Sequence, residues 1–213
     1  MKKLFVTLAF AGIAASSFGG AGNVYFSNIK DVTHTARIYG VDSTDSTKQA
    51  VGNSADYSNR GKLTGTGFTA ELWIGTSEAD LHAVAKSQVT FALAPLPGKT
   101  DLTGTFLKGG ISKVDVDIGG GHAAVVQVRA WDNAGGTVNT WADLLKNDNL
   151  ARGKSKLVNY NVAGIDDDGN PTSPAKNLVD AGLESFGLYI VPEPSVVALG
   201  ALGLGALLLR RRK

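Results

Sequence analysis

The chain has no cysteine. That excludes disulfide staples, thiol nucleophiles and thiolate metal sites, so the fold must be held by burial of its core. Methionine occurs once, whereas glycine occurs 27 times among 213 residues. This balance suits a turn-rich β protein better than a helical bundle. Charge of one sign is also scarce. The formal charge is +2, but six of the 21 basic residues sit at the two ends. Between Gly22 and Val191 there are fifteen basic and eighteen acidic residues, a weakly acidic body without a basic stripe. Such a body is a poor partner for nucleic acid.

Catalytic patterns are equally thin. His34, His82 and His122 are far apart and show no metal-ligand spacing. There is no Gly-x-Ser-x-Gly elbow. Gly65-Thr66-Gly67 and Gly119-Gly120-Gly121 do not lead from a strand into a helix, and so read as turns rather than phosphate cradles. Asp166-Asp167-Asp168-Gly169-Asn170 fails the EF-hand pattern: with Gly169 in sixth place, the first place is Gly164 and the twelfth Ala175. Asp115 and Asp117 alternate along one strand and share a face, which does not place two carboxylates across a scissile bond. The expectation is a protein without enzymatic activity, cofactor or metal.

What is present begins with two unusual ends. Lys2 and Lys3, the apolar stretch Leu4 to Ala15 and the small residues up to Ala21 follow the grammar of a secretory signal peptide. Cleavage is expected after Ala21, with Ser17 as the rival site. Export of this kind runs through the Sec translocon and signal peptidase. At the other end, Pro192-Glu193-Pro194 precedes the apolar run Val196 to Leu209 and the basic stop Arg210, Arg211, Arg212 and Lys213. As a helix that run would measure roughly 21 Å, short of the roughly 30 Å hydrocarbon core, with snorkelling arginines covering the difference. The basic end would remain in the cytoplasm and leave the body outside the inner membrane.

The order Pro-Glu-Pro, apolar run, arginine cluster resembles the PEP-CTERM sorting signal of Gram-negative bacteria that make exopolysaccharide. The resemblance covers about the last 23 residues. It implies recognition by exosortase, a membrane transpeptidase, a transient inner-membrane precursor, and delivery to the cell surface or extracellular matrix as a structural or interaction protein. Gly65 to Trp73, Val126 to Asp132 and the closing Leu183 to Val191 resemble, more loosely, the bodies of surface proteins with the same tail.

The division expected is 1–21 signal peptide, 22–191 folded domain and 192–213 sorting tail. Within the domain, short apolar runs separated by turn residues predict eight or nine strands. These include Asn23–Ser27, Ala36–Val41, Gly67–Gly75, Val84–Leu93, a glycine hairpin formed by Gly104–Gly110 and Val114–Ile118, Ala123–Trp131, Gly153–Val162 and Glu184–Val191. Asp42 to Lys62 reads as a long polar loop. Thr140, followed three residues later by Asp143, starts one short helix. The architecture expected is an all-β, two-layer sandwich of jelly-roll type with one short helix and a transmembrane sorting helix. Its first and last strands should be neighbours in one sheet. Trp73, Trp131 and Trp141 lie in apolar runs where a core needs bulk, and they are also the candidate glycan contacts of a carbohydrate-binding module that would associate with exopolysaccharide.

Overall fold

A computed structural model describes residues 22–95, 97–106 and 113–191. The expected signal peptide, the Pro192-Glu193-Pro194 motif, the apolar run and the basic stop Arg210 to Lys213 therefore lie outside the described residues, as does much of the Gly104–Gly110 arm.

The centre is a five-stranded antiparallel sheet. Strand β4 (Phe68–Gly75) pairs along its whole length with β7 (Ala123–Asp132), from Phe68 opposite Asp132 to Gly75 opposite Val125. The two-residue period explains why both strands belong here. Ala70, Leu72 and Ile74 on β4, with Ala124, Val126, Val128 and Ala130 on β7, face one way and are buried. Thr69, Glu71 and Trp73 face the other way, beside Gln127, Arg129 and Trp131. The far edge of β4 carries β5 (His82–Ala83).

The far edge of β7 carries two strands in succession, β8 (Arg152–Lys154) and β9 (Val158–Asn161). The single run expected over Gly153–Val162 is broken because this side carries one residue more than β7 between the two pairings, as in a β-bulge. Ser155 closes the gap: its hydroxyl accepts from the Val128 N–H at 3.0 Å and its own N–H donates to the Val128 carbonyl at 2.9 Å.

Two smaller sheets complete the fold. In one, β1 (Gly22–Tyr25) pairs with β6 (Lys113–Val116). In the other, β10 (Phe186–Gly187) lies between β2 (Ile38–Tyr39), to which it is parallel, and β3 (Ala50–Val51), to which it is antiparallel. The first and last strands are thus not neighbours; β1 pairs instead with β6. The closing segment is nonetheless anchored, because Arg152 and Tyr189 exchange two backbone hydrogen bonds beyond the end of β10.

These sheets stay open, so the fold is β-rich but not the expected jelly-roll sandwich. The physical cause is the frequency of interruption. In the run Val84 to Leu93, for example, Lys86 adopts a left-handed φ of 61°, and only a single bridge, Ala70 to Val89, survives. The one α-helix among the described residues, α1 (Trp141–Leu144), is four residues long, and the Thr140 hydroxyl caps it by accepting from the Asp143 N–H. No helix among the described residues is long and apolar enough to cross a membrane, so nothing described supplies the transmembrane element of the expected architecture.

The main core fills the space between the inner face of the central sheet and Val24, Phe26, Ile38, Phe106, Leu178, Phe186 and Leu188. Full burial of each of these larger side chains is worth about 1.5–3 kcal/mol. A second, small cluster lies on the opposite face of the sheet, where Trp131 packs with Val138 and Leu144.

The stretch Asp42 to Lys62 is long but tightly organised. Asp42, Asp45 and Asp56 each accept from the backbone N–H two residues on, at Thr44, Thr47 and Ser58. Arg60 then enters the core. Its guanidinium donates to the carbonyls of Gly40 at 2.9 Å and Leu188 at 2.7 Å, and also to that of Lys48. Gly187 permits this approach, since a Cβ there would sit 2.6 Å from an Arg60 nitrogen.

Candidate functional site

The outer face of the β4–β7 pair is where polar and aromatic chemistry gathers. Glu71 stands directly opposite Arg129, and Trp73 opposite Gln127. The Arg129 guanidinium lies over the Trp73 ring, 3.5 Å from its centroid, and over the Trp141 ring at 5.2 Å. Trp141 reaches this point because α1 packs across the sheet, its indole edge-on to Trp131 at 5.9 Å between centroids. Cation–π contacts of this kind contribute about 0.5–2 kcal/mol each. Burial pulls the Arg129 pKa below its ordinary value, and the nearby Glu71 carboxylate opposes that shift.

Arg129 is only partly committed. Its Nε donates to Gln127 Oε1 at 3.0 Å. Its two terminal nitrogens have no hydrogen-bond partner among the described residues. Glu71, by contrast, is 5% exposed and fully engaged: one oxygen accepts from Trp73 Nε1 at 2.8 Å, the other from Gln88 Nε2 at 2.9 Å.

Gln88 links this stack to a cleft of about 610 Å³ lined by Thr66, Thr69, Thr90, Asn133 and Asn139 together with the backbone of Gly135 and Gly136. Gln88 also donates to the Asn139 carbonyl at 2.7 Å. Buried Asn133 shapes the cleft floor. Its Nδ2 donates to the Thr66 carbonyl at 2.8 Å and to Thr69 Oγ1 at 3.1 Å, while its Oδ1 accepts from the Gly136 N–H at 3.1 Å. Residues 134–136 all have left-handed φ, of 49°, 69° and 91°. Glycine at the last two positions makes that path inexpensive. Thr66, Thr90 and Asn139 line this cleft, and their side-chain polar groups have no partner among the described residues.

The three tryptophans singled out from the sequence are brought together, but they divide in role. Trp131 is 0% exposed and donates its Nε1–H to the Val138 carbonyl at 3.1 Å, so it is a core residue. Trp73 and Trp141 are half-buried and keep part of each indole in solvent. Sequence reasoning missed Arg129, Gln88, Asn133 and Asn139. For Arg129 the signal was available in the alternation Gln127-Arg129-Trp131, set against Thr69-Glu71-Trp73.

The histidines do not converge. His34 meets Asp31, His82 meets Asp117 and His122 meets Asp167, at three separate places. Among the described residues no group of three or more histidine, cysteine or acidic side chains is arranged to hold a metal ion. Asp166 uses one carboxylate oxygen to accept from the N–H groups of Asp168 and Asn170, which makes that acidic stretch a self-capped turn.

No protein-family model, no curated protein and no solved structure matches this chain. The comparisons therefore give it no place in the PEP-CTERM family, and the reading as an exosortase substrate falls with that resemblance. So do the partners and location drawn from it and from the leader: Sec translocon, signal peptidase, exosortase, an inner-membrane precursor and a surface or matrix destination. The outer face of the central sheet is what supports a functional reading.

Proposed function

We propose that this protein is a carbohydrate-binding module that uses the outer face of β4 and β7 together with the adjoining cleft. The observation that carries the reading is the pairing of two partly buried tryptophans, Trp73 and Trp141, with a cleft rich in amides and hydroxyls. Sugars present apolar C–H faces and rings of hydroxyls, so they suit aromatic shelves bordered by neutral donors and acceptors. The Arg129 stack holds the indoles in place, and Asn133 holds the cleft walls, so little side-chain freedom remains to be lost on binding. The action proposed is retention of a glycan without covalent change to it.

Affinity electrophoresis of the full chain in gels containing a panel of neutral and acidic polysaccharides tests this. The wild-type protein should be retarded by at least one of them, and Trp141→Ala and Asn139→Ala should each restore much of the free mobility. Unchanged mobility of the wild type across the whole panel would refute the reading.

A further inference from the structure

The glycan reading leaves open which sugars the face selects, and its charges bear on that. Arg129 offers two terminal nitrogens without partners among the described residues. A guanidinium with a free fork matches a carboxylate in planar, two-pronged fashion. Arg129 is also directly opposite Lys154 in the β7–β8 register. Cross-strand partners project from the same side of a sheet, so the ammonium of Lys154 belongs to the same face. Lys154 is exposed, and no ion pair or hydrogen bond engages its side chain among the described residues.

The acidic group nearest this pair does not neutralise it in place. Glu71 turns its two oxygens to the Trp73 indole and to Gln88, and no ion pair within 4.0 Å joins it to Arg129. Asp143, on α1, is bound to Lys146 and Thr140, and Asp148 to Arg152. Two cationic groups thus meet one occupied carboxylate beside a pair of aromatic rings. A neutral sugar hydroxyl could accept a single neutral-acceptor hydrogen bond from that fork, whereas a carboxylate accepts two in parallel and balances the charge.

We infer that the site selects acidic saccharides, with the carboxylate of a uronic acid residue gripped by Arg129 and steadied by Lys154 while the sugar ring rests against Trp73 or Trp141. This rests on the carbohydrate-binding reading and sharpens it to a chemical class.

The test titrates the full chain with polygalacturonate and alginate, and with each polymer after reduction of its carboxyl groups to alcohols. Wild-type protein should bind at least one uronate polymer and lose roughly tenfold or more in affinity for its reduced form, as expected for loss of a charge-assisted pair. That binding should also weaken with rising salt. Arg129→Gln should abolish the preference, Arg129→Lys should retain part of it, and Lys154→Ala should reduce it a few-fold. Circular dichroism of each variant separates lost folding from lost recognition, and the salt response of the wild type needs no variant. Equal affinity for acidic and reduced polymers, or binding only to neutral polysaccharides, overturns the acid selectivity and leaves the glycan reading standing. Binding to none of them, acidic, reduced or neutral, overturns both.

Discussion

Trp73 donates its indole N–H to the buried carboxylate of Glu71 at 2.8 Å, two residues back along the same strand face. The bond fixes the indole that Arg129 covers, and it supplies one of the two donors to an acid that is nearly sealed from water, Gln88 being the other. A buried acceptor deprived of its partner costs about 1–3 kcal/mol. Trp73→Phe keeps the ring but removes the donor, and should lower stability by about that amount. Glu71→Gln in the same background should recover part of the loss. Urea unfolding of the two single variants and the double variant measures the coupling.

Arg60 ties Gly40, Lys48 and Leu188 together from within the core. Arg60→Met should be among the most damaging single changes in the domain. It leaves three carbonyls short of a donor and removes one of two cationic neighbours of buried Asp42, whose carboxylate lies 3.9 Å from Arg60 Nε and 3.6 Å from Lys48 Nζ. A loss of about 3–5 kcal/mol is expected, read as a large fall in the urea midpoint with little change in slope.

Acid should unfold the protein through its self-capped turns. Hydrogen bonds from Thr33, Thr44, Thr47, Ser58 and Thr76 hold Asp31, Asp42, Asp45, Asp56 and Asp80 below the ordinary 3.8, Asp42 at about 2. Asp101 is lowered first by Lys62 and then by Thr103. A carboxylate depressed in the folded state contributes stability that is complete above its unfolded value and lost as pH falls through its folded one. Chemical-denaturation midpoints should therefore hold steady down to about pH 4 and then drop continuously toward pH 2. A flat profile across that interval would show that these turns contribute little.

Asn133 and Asn139 should separate structure from recognition. Asn133→Ala removes the side chain that joins Thr66, Thr69 and Gly136, and should cost about 1–3 kcal/mol and deform the cleft. Asn139 is exposed, and its amide has no partner among the described residues. Asn139→Ala should leave the melting temperature within a degree or so of wild type while weakening retention by a polysaccharide gel.

Much of the central sheet can be read from the chain because two-residue alternation is a local signal. Leu72 and Ile74 against Glu71 and Trp73, or Val126 and Val128 against Gln127 and Arg129, mark both the strands and their faces. Thr140 marks the helix start in the same local way. Sheet order is not local. Phe186 pairs with Ile38 and Val51 rather than with the first strand, and no spacing in the sequence encodes that choice. Arg60 likewise sits in a stretch that reads as a polar loop, and its burial depends on carbonyls brought from Gly40 and Leu188. The Arg129 stack falls between these cases: its alternation is visible in β7, but Trp141 joins it only because α1 folds back across the sheet. The basic and apolar ends exert a strong pull on a sequence reading, yet they lie outside the described residues and no family match supports what they resemble.

The most direct test uses the three tryptophans as reporters within a single experiment. The chain contains only three, so a nitrogen-15 correlation spectrum carries three indole N–H signals. Titration with uronic acid oligosaccharides should shift the signals of Trp73 and Trp141 in a saturable manner and leave that of Trp131, sealed in the core and bonded to Val138, in place. Saturable binding in which neither Trp73 nor Trp141 responds, or the absence of any response to acidic and neutral oligosaccharides alike, would contradict glycan recognition by this face.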